Sequence, residues 1–204
     1  MALDKLAKEA EIERKCGATR CSTWILSSSN EPTDERMERF AEKMRCVALT
    51  LEAEGISCGL EFVGPLHIYR MAKYPFIRTM DEMLAMCRKI GTKKCGLLLD
   101  SYHLYTAGGE MEDVLKLKAE DIVQVHINDA VSGVARDELQ DQVRLLPCET
   151  NVVDGKTFLT SLAKIGYEGP VITEPFYKPF REIDDAQKKA QMTIDAMKKA
   201  YPFA

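Results

Sequence analysis

Short apolar runs alternate along this chain with longer stretches in which apolar residues recur every three or four positions, the pattern of strands separated by amphipathic helices. Residues 2 to 15 have helical spacing, and Arg20 to Leu26 read as a first strand. The polar run from Ser27 to Thr33 makes a loop, and Thr33 or Asp34 is the predicted cap of a long helix that ends near Glu54 and is stopped by Gly55. Ser57 to Val63 is a second strand, followed by a loop containing Gly64-Pro65 and Tyr74-Pro75 and by a helix from Thr79 to Ile90. Cys95 to Asp100 is a third strand, apolar enough for burial on both faces. A loop through Gly108-Gly109 leads to a short helix near Met111 to Leu117, and Ile122 to Asn128 is a fourth strand. A long polar loop to Asp154, a helix from Lys156 to Ile165, a fifth strand from Val171 to Glu174 and a helix from Asp184 to Lys199 complete the pattern.

Five strands, each but the last feeding a helix that returns to the next strand, predict a parallel α/β sheet, either open and doubly wound or part of a barrel. A full (β/α)8 barrel typically takes about 250 residues. This chain has 204, with no internal repeat or low-complexity linker, and reads as one domain over residues 1–204 that supplies about five of eight units.

The polar residues at the strand ends add chemistry to this frame. Glu61, Asp100, His126 and Glu174 close four successive strands. In a parallel sheet all carboxyl ends point one way, so the four converge on one mouth. Three carboxylates and an imidazole are mostly hard donors, which suit one divalent ion with open positions: Mn2+, Mg2+ or Co2+ ahead of Zn2+. Taken singly, each acid could equally cap a following loop or pair with an arginine. An ionised carboxylate ending an apolar strand is costly unless a cation is held there, and four in step favour the metal.

Charge and composition narrow the function. A formal charge of −4 lacks the basic face that nucleic-acid binders use. The first residues mix acids and bases without the apolar core of a signal peptide, and no uncharged run approaches membrane-spanning length, so a cytoplasmic protein with no membrane partner is expected. Seven cysteines without a CxxC pair read as reduced and mostly buried. No glycine-rich phosphate loop is evident.

The segments GLEFVGP (59–65), GLLLDSYHLY (96–105), IVQVHINDA (122–130) and VITEPF (171–176), in that order, resemble the last four strands of the xylose-isomerase-like sugar phosphate isomerase and epimerase superfamily, which includes inosose isomerases and dehydratases and ketose 3-epimerases. The resemblance runs from about residue 18 to 180 and implies a TIM barrel whose first three βα units are missing. It assigns one divalent metal to Glu61, Asp100, His126 and Glu174, acid/base roles to Glu61 and Glu174, and substrate contacts to His103 and to Arg136. LPCETNVVD (146–154) resembles a PGEG-type loop with Cys148 in place of glycine, a position where cysteine lacks glycine's freedom. His67 and Trp24 read as a solvated loop residue and a packing residue.

The implied activity is isomerisation or epimerisation of a small sugar or polyol by proton transfer through an enediolate. An inosose-type dehydratase using the same site is one alternative, and a truncated barrel remnant that binds metal without catalysis is another. A multinuclear zinc nuclease of the endonuclease IV type is disfavoured, because three histidines are too few for its cluster. An incomplete barrel leaves an unpaired edge at each end, so completion by another chain or a homo-oligomer is expected.

Overall fold

The computed structural model describes residues 3–201. Strands β1 (Arg20–Ile25), β2 (Ser57–Phe62), β3 (Cys95–Asp100), β4 (Ile122–His126) and β5 (Val171–Ile172) form a five-stranded sheet in chain order. The pairs β1–β2, β2–β3 and β4–β5 are parallel. The helices are α1 (Leu3–Lys15), α2 (Thr33–Ala53), α3 (Met80–Ile90), α4 (Ser101–Thr106), α5 (Gly155–Lys164) and α6 (Ala186–Ala200), supplemented by single turns. The chain divides into two compact units. One comprises the chain up to Val63, Ile68–Leu99 and Glu120–Gln124, and the other Gly64–His67, Asp100–Ala119 and the chain from Val125 onward.

In the first unit, β2 and β3 are buried along nearly their whole length, with Leu60, Phe62, Leu97 and Leu99 covered completely. Helix α3 places Met83, Met86 and Ile90 at three- and four-residue spacing, all fully buried. Burial of each such side chain contributes about 1.5–3 kcal/mol relative to exposure. Thr79 closes a capping box: its hydroxyl accepts from the Glu82 N–H at 3.3 Å, and the Glu82 carboxylate accepts from the Thr79 N–H at 2.9 Å. Gly91 ends α3 at φ +70°, where only glycine is at ease.

Several elements depart from expectation. Neither Thr33 nor Asp34 caps α2: the helix starts directly after Pro32 without a side-chain cap, and the Thr33 hydroxyl donates to the Pro75 carbonyl at 2.9 Å. Tyr74–Pro75 pairs with Ser28–Ser29 as a two-residue antiparallel ladder, a contact that no apolar period announces. Strand β1 stands at the sheet edge, with Cys21, Thr23 and Trp24 exposed. All seven cysteines are free thiols, but only Cys58 and Cys87 are buried, while Cys16, Cys21 and Cys46 are exposed.

In the second unit, Tyr102, Val125 and Phe158 are fully buried. The expected loop after Asp100 is instead the short helix α4. Strand β5 is shorter than predicted: the Glu174 N–H donates to the Asn128 side chain at 2.8 Å rather than to a ladder and Pro175 follows, so Glu174 lies two residues past the strand. Buried Asp129 organises the long loop. Its Oδ1 accepts the N–H groups of Ala130 and Val153, and its Oδ2 those of Thr150 and Asn151, all at 2.7–2.9 Å. That grip holds Cys148 and Asn151 at φ +58° and +59°, left-handed conformations that cost a non-glycine residue about 1–2 kcal/mol. No helix among the described residues is long and apolar enough to cross a membrane.

Thr79→Ala should remove the capping box and cost about 1 kcal/mol. Thermal unfolding should fall by about 2–4 °C for a chain of this size. An unchanged midpoint would mean that α3 is held by its apolar face alone.

Candidate metal site

The site is built on Asp100, the last residue of β3, whose side chain is 0% exposed. Its Oδ1 accepts the N–H groups of Tyr102 at 2.6 Å and His103 at 3.4 Å, so the carboxylate caps α4. Its Oδ2 accepts from Asn128 Nδ2 at 2.9 Å and Arg144 Nη1 at 3.0 Å. Burial pushes the Asp100 pKa up, but the charges of His103, Arg144 and His126 outweigh it and hold the carboxyl below its ordinary range.

His126 ends β4, and its Nδ1 lies 3.9 Å from Asp100 Oδ2 and 3.5 Å from Glu174 Oε2. Glu174 is the more accessible carboxylate, with a side chain 38% exposed. Burial raises its pKa, and the His126 hydrogen bond and the Arg144 charge reverse the sign, leaving it below the usual value. Asp100, His126 and Glu174 each offer one ligand atom within 4.8 Å of the others. Two donors about 2.1 Å from one ion stand about 3.0–4.2 Å apart, depending on the angle between them. The distances from His126 fall in that span, so this donor set fits a divalent ion.

Two residues that the sequence reading passed over hold the set together. Asn128 donates to Asp100 and accepts the Glu174 N–H on Oδ1 at 2.8 Å, bridging two carboxylate residues with one amide. Its backbone is fixed in turn by the Ser101 hydroxyl, which accepts from the Asn128 N–H and donates to its carbonyl, both at 3.0 Å. Arg144 is buried, donates from Nη1 to Asp100 and to Glu174 at 2.9 Å, faces Asp141 Oδ1 from Nε at 3.4 Å, and stacks 4.1 Å over the Phe176 ring.

His103 is 2% exposed. Its Nδ1 accepts the Gly64 N–H at 3.3 Å, which in the neutral ring leaves the proton on Nε2, 3.8 Å from Asp141 Oδ1. The approach of Gly64 requires glycine, since a Cβ there would lie 2.2 Å from the His103 carbonyl oxygen.

Glu61 is buried near the end of β2 in the first unit, opposite Trp24 on β1 and Leu98 on β3. Arg136 pairs with Glu110 at 3.1 Å and stacks 4.0 Å over Tyr105, and neither partner is one of the expected ligands. His67 is exposed on a single turn, and Trp24 is 60% exposed, so Trp24 is not the packing residue expected. Cys148 lines a surface cleft of about 260 Å³ with Tyr177 and Lys199.

The sequence matches the family of xylose isomerase-like TIM barrels over residues 1–200. The chain belongs to this family. A xylose isomerase domain protein from Alicyclobacillus acidocaldarius is 32% identical and superposes with a TM-score of 0.86, over 97% of this chain and 69% of that one. The inosose isomerase of Bacillus velezensis is 24% identical over 170 residues, which are 82% of this chain and 58% of that protein, so the chain spans less than two thirds of its length. A crystal structure of an IOLI protein with a bound zinc atom shares the fold at 19% identity, with a TM-score of 0.81 over 97% of this chain and 68% of that one. This xylose isomerase-like chain thus has the α/β architecture that its strand pattern predicts.

Lowered carboxyl pKa values have a definite pH signature. A group whose pKa is depressed on folding contributes stability that is fully present above its unfolded value, about 3.9 for Asp and 4.3 for Glu, and that is lost as pH falls through the folded value. Urea midpoints should therefore drop steeply below about pH 4. The drop should be smaller in Asp100→Asn, and equal slopes for the two proteins would remove Asp100 from this role.

Proposed function

We propose that this chain carries the metal-binding part of a sugar or polyol isomerase or epimerase, with one divalent ion held by Glu61, Asp100, His126 and Glu174. The observation that carries the reading is the grouping of Asp100, His126 and Glu174 in the second unit, in a chain of the xylose isomerase-like family. The inosose isomerase relative supports a small polyhydroxylated substrate, and the zinc atom in the IOLI protein supports a divalent ion. The oxygen-rich donor set favours Mn2+, Mg2+ or Co2+.

When bound, a divalent ion supplies polarisation of the substrate carbonyl and stabilises the enediolate left by loss of the α-proton. The remaining work falls to the chain. Glu174, the accessible carboxylate, exchanges the proton at one carbon, and Glu61 serves as its partner at the adjacent carbon or opposite face. Asn128 keeps Glu174 in position by accepting its N–H. His103 presents an Nε2 proton to substrate oxygens, and Arg144, already on Asp100 and Glu174, is better situated than Arg136 to orient them. Expulsion of a β-hydroxyl from the same enediolate would make the enzyme a dehydratase.

The five βα units correspond on this reading to the C-terminal part of the eight-unit barrel, and activity requires the remaining units from the same or another chain. The exposed edge strand β1 favours a homo-oligomer that covers it, which light scattering would register as a mass above that of one chain; a monomer would count against it.

The direct test is Mn2+ and Zn2+ calorimetry on the chain and on Glu174→Gln, followed by proton exchange into ketoses and inososes in heavy water. Loss of even an outer-shell partner typically weakens a metal site about 10–100-fold, so removing a charged ligand should weaken it by at least that much. Equal binding by the two proteins would refute the assignment of Glu174.

A further inference from the structure

The relation of Arg144 to the proposed metal goes beyond the ligand set, and rests on that reading. A carboxylate has about four lone-pair positions. On Asp100 four donors meet them: the N–H groups of Tyr102 and His103, Asn128 Nδ2 and Arg144 Nη1. The first two belong to the opening turn of α4, and Asn128 is locked by Ser101 and by the Glu174 N–H. Only the fourth is carried on a long side chain able to swing away. The same Nη1 donates to Glu174 Oε2, so a single guanidinium nitrogen bridges the two carboxylate oxygens that stand 3.9 and 3.5 Å from His126 Nδ1.

A metal ion bonded to both oxygens would lie about 2.0–2.2 Å from each. That places it within about 4 Å of a nitrogen 2.9 and 3.0 Å from the same atoms, close enough for the two cations to repel each other. With the lone-pair positions of Asp100 filled, an ion that bonds to Oδ2 takes the place of one of its present donors. The rest of Arg144 has its own anchors, Asp141 on Nε and the Phe176 ring beneath, and its carbonyl accepts the N–H groups of Phe176 and Tyr177 at 2.9 and 3.2 Å.

We propose that Arg144 is the resident counter-cation of this site, and that a divalent ion enters by displacing its guanidinium from Asp100 and Glu174. Metal affinity is then set by competition with this arginine. The displaced side chain stays in the unit on Asp141 and Phe176, so metal binding turns a structural ion pair into a cation facing the site.

The test uses Mn2+ calorimetry on the wild-type chain, Arg144→Met and Glu174→Gln, with urea denaturation in EDTA. Arg144→Met should bind Mn2+ at least tenfold more tightly than wild type and unfold earlier in EDTA, with the deficit shrinking once Mn2+ is added. Equal or weaker Mn2+ binding by folded Arg144→Met, with Glu174→Gln still impaired, overturns the competition and leaves the metal site standing. Indifference of binding to Glu174→Gln overturns both. Should Arg144→Met not fold, side-chain nitrogen NMR of the wild-type chain decides: saturating Zn2+ should shift the Arg144 guanidinium signals, and unchanged signals overturn the proposal.

Discussion

A carboxylate with no exposed surface, closing an apolar strand, is the constraint around which the second unit is arranged. Asp100 cannot stay ionised in such a place without replacing the water it has lost. Its replacements come from three separate stretches: the first turn of α4, Asn128 just past β4, and Arg144 in the long loop. Each draws its own backbone into place, so helix, strand end and loop converge because one buried charge needs donors. Asp129 repeats the logic without a cation, with four backbone N–H groups from Ala130, Thr150, Asn151 and Val153 gathering the loop onto one side chain. The main-chain bonds between Asp129 and Leu145, at 2.8 and 3.0 Å, then fix the backbone beside Arg144. Asp129 therefore helps to determine where that guanidinium lies, although it touches none of the proposed ligands directly.

Elements whose cause is local were legible in the sequence. β2 and β3 show their burial in Gly59-Leu60-Glu61-Phe62 and Gly96-Leu97-Leu98-Leu99, and α3 shows it in Met83, Met86 and Ile90 together with the Thr79–Glu82 box. Elements whose cause is tertiary were not. Helix α4, Ser-Tyr-His-Leu-Tyr-Thr, has poor helix formers and only six residues, and it exists because Asp100 caps it. The residue marked as a metal ligand was also the start signal of a helix. The same holds for Thr33, whose hydroxyl is used by the distant Pro75 carbonyl rather than by its own helix.

The candidate site divides along the same line. Acids and a histidine that close apolar strands stand out against their neighbours, so Asp100, His126 and Glu174 could be named from position alone. The resemblance pointed to Arg136 in the long loop and passed over Arg144, because that loop has no hydrophobic period and its path depends on Asp129. A weak signal was nonetheless present. Arg136 sits in the charged run Arg136-Asp137-Glu138, which favours solvent, whereas Arg144 precedes Leu145 and Leu146, which are buried and carry their neighbour inward. Asn128 offered no signal at all, since an amide two residues past a strand is ordinary until the partners on both sides of it are known.

The charges gathered in this unit bear on the proposed ion. Asp100, Glu174 and Asp141 bring three carboxylates against the one guanidinium of Arg144, within 2.9–3.4 Å of it. A carboxylate pair sharing one arginine nitrogen is a compromise, because neither acid receives the two-point contact that an arginine fork can give a single partner. The third acid meets only Nε, at the longest of these distances. Such a cluster gathers more negative than positive charge in a low dielectric, and on the reading proposed above a divalent ion would take over the task of the guanidinium on Asp100 and Glu174. A divalent ion supplies that charge in the smallest volume, and the His126 imidazole gives it a neutral fourth-row-metal-compatible donor without adding to the negative total. The arginine makes the cluster tolerable as it stands, and the proposed ion would replace it on Asp100 and Glu174 with a denser charge.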